Sequence, residues 1–257
     1  MGKLVDGQWS TQWIDTKSTG GKFFRQEASF RNWVTADGSV GPTGIGGFKA
    51  ETGRYHLYVS LACPWAHHTL IVRELKGLSS HITVDVVHPD MLETGWSFAM
   101  DGGAAQGDSL FGFTHAYEIY QKAEPNATTR VTVPILWDKY TSSIVSNESS
   151  EIIRMFNSEF EALAINDQDL WPKAMRIDIE EVNERIYHTF NNGVYKSGFA
   201  TSQDAYDDSV TKLFDTMDWL EDRLSTNRYL MGDALTEADW RLFTTLVRFD
   251  LVYHLHF

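Results

Sequence analysis

The segment from Tyr55 to Pro89 admits few folds. "YHLYVSL" alternates and is rich in strand formers. The residues after it place Ile71, Leu75 and Leu78 at helical spacing, and "HITVDVVHP" reads as a second strand. Strand, helix and strand within about 35 residues is the pattern of a parallel unit, because strands running the same way need a crossover between them. Pro64 suits the first turn of that helix, where its missing N–H costs nothing.

Residues 1–53 are rich in glycine, polar residues and aromatics and read as loops with at most one short helix, an ordered extension wrapped over the protein. Five glycines fall between Gly38 and Gly47, but no strand precedes them and no P-loop lysine follows, so a phosphate-cradling loop is not supported. Residues 90–112 form a polar, glycine-rich insertion around Trp96, and a helix is expected near 113–123. "VTVPILWD" and "SSIVS" read as strands, followed by a helix with Ile152, Phe156 and Phe160 on one face. Pro134 removes a ladder hydrogen bond, which a sheet accepts at an edge, a bulge or a cis turn.

No proline follows Pro172. Three helical patterns fill the remainder: Ile179, Val182, Ile186 and Phe190; then Tyr206, Val210, Leu213, Met217, Leu220 and Leu224; then Leu242, Leu246, Phe249 and Tyr253. "LTEAD" offers Thr236 as an N-cap with Asp239 three residues on, an acidic form of the capping box. The reading is an α/β domain followed by an all-α one: an extension over 1–53, an α/β domain over 54–160 and a helical domain over 161–257.

With 35 acidic against 22 basic side chains, a net charge of −13 disfavours nucleic acid and anionic membranes as partners. No apolar run reaches the roughly 18 residues that span a bilayer, and "MGKLVDGQWS" lacks the apolar stretch of a signal peptide. A cytoplasmic location and small-molecule partners are the expectation.

Cys63 is the sole cysteine, so it makes no internal disulfide. Free cysteine is often plain packing. Between a strand and a helix, however, backbone N–H groups and the helix dipole favour negative charge, which lowers a thiol's pKa and argues for reactivity. Ala66 occupies the second position of a C-x-x-C motif, so any disulfide step must borrow an external thiol. A cysteine hydrolase would need an oriented histidine, and no such signature surrounds Cys63. A metal site with His67 and His68 lacks a fourth ligand, so none is expected.

Taken together, "SLACPWAHHTL", "TVPILWD", "IVSNESSEIIRMFN", "NNGVYKSGFATSQ" and "LTEADWRLFTTLVRFDLVY" resemble the bacterial glutathionyl-hydroquinone reductases, the xi class of glutathione transferases. "DTKSTGGKFFRQEASFRNW" resembles that family's N-terminal extension. The resemblance covers the whole chain. It implies a thioredoxin-like N-terminal domain with a helical C-terminal domain, glutathione as co-substrate, glutathionyl-hydroquinones as substrates and a homodimer. It assigns Cys63 as the nucleophile and makes Pro134 cis, so that the Val133 backbone pairs with glutathione. Glu148 and Ser149 would bind the γ-glutamyl end, Trp96 and Arg130 would pack on glutathione and pair with its charge, and Tyr195 and Tyr253 would face the hydroquinone ring.

From the residues alone, Arg130 could pair with an acidic neighbour, Glu148 could be an ordinary first-turn acid, and Tyr253 fits the apolar stripe of its helix. The family's chains continue past the residue matching Phe257, with a further tyrosine for the hydroquinone pocket, so the resemblance implies a pocket that 257 residues do not complete. Two alternatives stay open: an omega-like thioltransferase or dehydroascorbate reductase using the same cysteine, and a non-catalytic binding protein of the same fold.

Overall fold

A computed structural model describes residues 2–12 and 14–257 of the chain, in two units. One comprises residues 2–12 and 27–168, the other 14–26 and 169–257.

In the first unit β3 (Tyr55–Val59) is buried at every position and lies inside a mixed sheet. The chain leaves it through α1 (Pro64–Leu75) and returns as β4 (Thr83–Val86), parallel to β3 with His56 opposite Thr83 and Val59 opposite Val86. This is the expected strand–helix–strand crossover. Next come α2 (Ala116–Ala123) and the two-residue β5 (Thr129–Arg130). On the other side of β3 lie β6 (Ile135–Asp138) and β7 (Ser143–Ser146), each antiparallel to its neighbour, giving the order β4-β3-β6-β7. After β7 the chain enters α3 (Ser149–Arg154), which packs against α1.

Two buried carboxylates of this sheet are matched. The Arg54 guanidinium donates two hydrogen bonds to the buried Asp138 carboxylate, at 2.8 and 2.7 Å. Burial would raise the Asp138 pKa, but the bonds from Arg54, Thr141 and the Tyr140 N–H outweigh it and hold the carboxyl below its ordinary value. Asp85 behaves alike: burial is overcome by His56, 3.2 Å away, and by the Ser109 N–H and hydroxyl at 2.6 and 2.8 Å.

Two sequence expectations need correction here. Residues 1–53 hold no helix among those described; β1 (Lys3–Val5) and β2 (Gln8–Ser10) form a hairpin, and β1 also pairs with β5. The two-residue turn is Asp6-Gly7, both at positive φ (46° and 72°), the geometry that suits a hairpin's twist. A side chain at position 7 would collide with the Pro125 carbonyl, so glycine is required there twice over. The second correction concerns α1, whose buried face is Ala66, Thr69, Val72 and Arg73 rather than a stripe of Ile71 and Leu75, which are half-buried. Leu78 is buried, but in a separate turn after Gly77.

The second unit consists of α4 (Arg176–Ile186), α5 (Gly193–Gly198), α6 (Gln203–Thr226), α7 (Glu237–Leu246) and a last short turn, α8 (His254–His256). Its core joins Ile179, Val182, Ile186, Phe190, Leu213, Leu220, Leu242, Phe249 and Tyr253, most of the expected stripes. Tyr206, Leu224 and Leu246 depart from them and are exposed, so each of those faces is narrower than the periodicity suggests. Wider turns continue α4 and precede α8, with Asn192 N–H bonding the Tyr187 carbonyl and Tyr253 N–H the Arg248 carbonyl, five residues back. Thr236 caps α7 with Asp239 in the expected reciprocal box. Among the described residues no helix is long and apolar enough to cross a membrane.

Candidate active site

Cys63 is half-buried and is the N-cap of α1, with extended backbone (φ −84°, ψ 118°). A turn carries the chain from the end of β3 to it: Cys63 N–H bonds the Ser60 carbonyl at 3.1 Å. Its own carbonyl accepts from the His67 N–H at 3.1 Å, closing the first helical turn. Pro64 contributes no N–H, so the remaining donors of that turn are the backbone groups of Trp65 and Ala66.

The segment entering β6 meets this thiol. Cys63 Sγ lies 3.5 Å from the Val133 carbonyl oxygen, although 70 residues separate them. The Val133–Pro134 peptide bond is cis, and Pro134 stands just before β6, so the ladder loses no donor. Two further sites hold consecutive candidates: Glu148 is the N-cap of α3 and Ser149 its first residue. The Glu148 carboxylate accepts from Ser150 N–H at 3.1 Å and from Ser150 Oγ at 2.7 Å.

Trp96 and Arg130 occupy separate segments of this unit. Trp96 is half-buried in the loop before α2, where its carbonyl accepts from Ala116 N–H at 2.9 Å. Arg130 is in β5, opposite Lys3 of β1. Tyr195 and Tyr253 belong to the helical unit and meet there, hydroxyl to hydroxyl at 3.2 Å. Tyr253 is nearly buried in the core, so the packing reading of its position also holds, with a polar tip reaching Tyr195.

Sequence reading gave no role to Arg25, Tyr120, Thr132 or Asn147. Arg25 lies over the Tyr195 ring, 4.6 Å from its centroid, and its Nε donates to Asn192 Oδ1 at 2.5 Å. No pattern in a loop announces that contact. Tyr120, Thr132 and Asn147 knit together behind the Val133 segment. Asn147 lies in the "SNES" motif beside Glu148 and Ser149, and no local pattern marks its bond to Tyr120.

Comparison with known proteins accords with this arrangement. The family description "Glutathione S-transferase, N-terminal domain" matches residues 62–159, and "Glutathione S-transferase, C-terminal domain" matches 203–257. The glutathionyl-hydroquinone reductase YqjG of Escherichia coli is 59% identical over all of this chain, which spans 78% of that protein. PcpF of Sphingobium chlorophenolicum, a glutathionyl-hydroquinone reductase, is 50% identical over all of this chain and 79% of its own length. The glutathione-bound structure of YqjG superposes with a TM-score of 0.90 at 55% identity, covering 99% of this chain and 77% of that one. A xi-class transferase from Natrialba magadii superposes with a TM-score of 0.89 at 46% identity, covering 100% and 75%. A mixed four-stranded sheet with a cysteine at the head of its first helix, joined to a helical unit and matched over its whole length by such relatives, places the chain in the xi class of glutathione transferases, the glutathionyl-hydroquinone reductases.

Proposed function

We propose that the chain reduces glutathionyl-hydroquinones to hydroquinones with glutathione, through Cys63. The observation that carries this reading is the approach of Cys63 Sγ to the Val133 carbonyl at the head of α1. A glutathione whose cysteinyl backbone pairs with Val133 would present its sulfur to that thiol.

The Cys63 thiolate attacks the glutathione sulfur of the substrate. An S–S bond forms, the sulfur–carbon bond breaks, and its electron pair stays on the aromatic carbon, which takes up a proton to give the hydroquinone. A second glutathione thiolate then attacks the glutathione sulfur of the mixed disulfide, releasing oxidised glutathione and restoring the Cys63 thiolate. One glutathionyl-hydroquinone and one glutathione are consumed; one hydroquinone and one oxidised glutathione leave. A single cysteine suffices because the second thiol comes from solution.

The Glu148 carboxylate is complementary to the ammonium of the γ-glutamyl end, with Ser149 beside it for the carboxylate. Trp96 would pack on the tripeptide and Arg130 would pair with its negative charge. Tyr195 and Tyr253, sharing one hydroxyl contact, are the candidates for donating the ring proton. In this scheme residues 54–160 bind glutathione. A homodimer is part of the same reading, and sedimentation at micromolar concentration checks it: a single species of monomer mass would remove it.

Cys63→Ser tests the scheme. Turnover of glutathionyl-hydroquinone should fall by about a thousandfold or more, the scale on which removing a nucleophile acts. Activity within tenfold of the unaltered protein would contradict the scheme.

A further inference from the structure

Behind the Val133 segment, one phenol holds three backbone and side-chain groups. Tyr120, on α2 and fully buried, donates to the Thr132 carbonyl at 2.9 Å. It accepts from Thr132 N–H at 3.2 Å and from Asn147 Nδ2 at 3.0 Å. Both main-chain groups of the residue before Val133 are therefore fixed by one hydroxyl. Asn147 is buried as well and turns its other groups the opposite way: Oδ1 accepts from Phe30 N–H, and its own N–H donates to the Phe30 carbonyl, both at 3.1 Å. The next residues along the chain are Glu148 and Ser149.

We infer that Tyr120 and Asn147 are positioning residues for glutathione, which fix the Thr132–Pro134 strap and the Glu148–Ser149 corner in register with each other. The inference rests on the proposed assignment of Val133, Glu148 and Ser149 to the tripeptide. A site whose two contact segments come from different loops needs something rigid between them, since small displacements of a contact cost binding. The Tyr120–Asn147 bond supplies such a link beyond the β6–β7 ladder, beside a longer direct contact from Asn147 Nδ2 to Thr132 Oγ1 at 3.4 Å. Burial pushes the Tyr120 pKa up, so the hydroxyl remains a donor throughout the working range.

Tyr120→Phe removes the hydroxyl and keeps the ring. It leaves the Thr132 carbonyl and N–H and one Asn147 donor without this partner, and the strap loses its register. The probe is S-methylglutathione, which binds without reacting, measured by calorimetry on the full chain. Its dissociation constant should rise about five- to tenfold, the scale of one such hydrogen bond. Alkylation of Cys63 by iodoacetamide, which needs no tripeptide site, should stay within about twofold. Tyr55→Phe is the control. It removes an equally buried hydroxyl of the same unit, bonded to the Lys49 carbonyl at 2.7 Å, and should leave S-methylglutathione binding unchanged.

Weaker binding in Tyr120→Phe alone supports the inference. Equal weakening in both variants, or none in Tyr120→Phe, overturns it. If the unaltered protein fails to bind S-methylglutathione, the functional reading fails first, and this is seen before any variant is compared.

Discussion

Asp138 shows what a single side chain contributes. Its carboxylate is fully buried and is held by both ends of the Arg54 fork, with Thr141 and the Tyr140 N–H on its remaining lone pairs. Neutralising Asp138 leaves the buried Arg54 guanidinium with only the exposed Glu51 carboxylate and the Gly47 carbonyl as partners, which costs more than the pair contributes. Asp138→Asn should lower unfolding stability by about 3–5 kcal/mol in urea melts, while the same change at exposed Asp207 should be nearly silent. Among the functional candidates, Cys63 was legible because a thiol before a helical proline has local meaning. Tyr120 was not, because its role depends on Thr132 and Asn147, which are 12 and 27 residues away. A tyrosine on a helix face announces burial, not the partner it will find.

At the scale of elements, capping was readable and the extension was not. Thr236 and Asp239 close α7 as their spacing predicts, each bonded to the other's end of the first turn. Thr236→Ala should cost about 1 kcal/mol in the same melts, because N–H groups at a buried helix start lose their acceptor. No loss in stability would mean that packing alone holds that helix. The Asp6-Gly7 dipeptide is a hairpin signal, but the strands beside it are three residues each, too short to show alternation. The buried face of α1 departs from its apolar periodicity for another reason: Thr69 and Arg73 bury polar side chains that hydropathy excludes from a core. Each buried group is satisfied, Thr69 by the Ala66 carbonyl and Arg73 by the Ile82 and Ser79 carbonyls.

The whole molecule carries a pH signature that follows from its sheet. Asp85 and Asp138 both have pKa values lowered below the usual 3.8 in the folded chain. A depressed carboxyl stabilises the fold above its unfolded pKa and loses that contribution as pH falls through the folded value. Stability should therefore be flat through neutral pH and fall steeply below about pH 4, and Asp138→Asn should flatten part of that fall. A mid-range midpoint unchanged by the substitution would show that the pair does not govern acid unfolding. Across the same chain, the strand–helix–strand unit and the helical stripes were legible because they are local and periodic. The sheet order β4-β3-β6-β7 and the approach of Val133 to Cys63 depend on long-range pairing that no local pattern shows, and only the family resemblance implied that Val133 and Cys63 meet at glutathione. The central claim is the mixed disulfide, and it can be trapped. Mixing the protein with one equivalent of glutathionyl-hydroquinone and no free glutathione, then quenching in acid, should give one equivalent of hydroquinone and an intact mass increased by one glutathionyl group, located on Cys63. Release of hydroquinone with the protein mass unchanged would contradict the account.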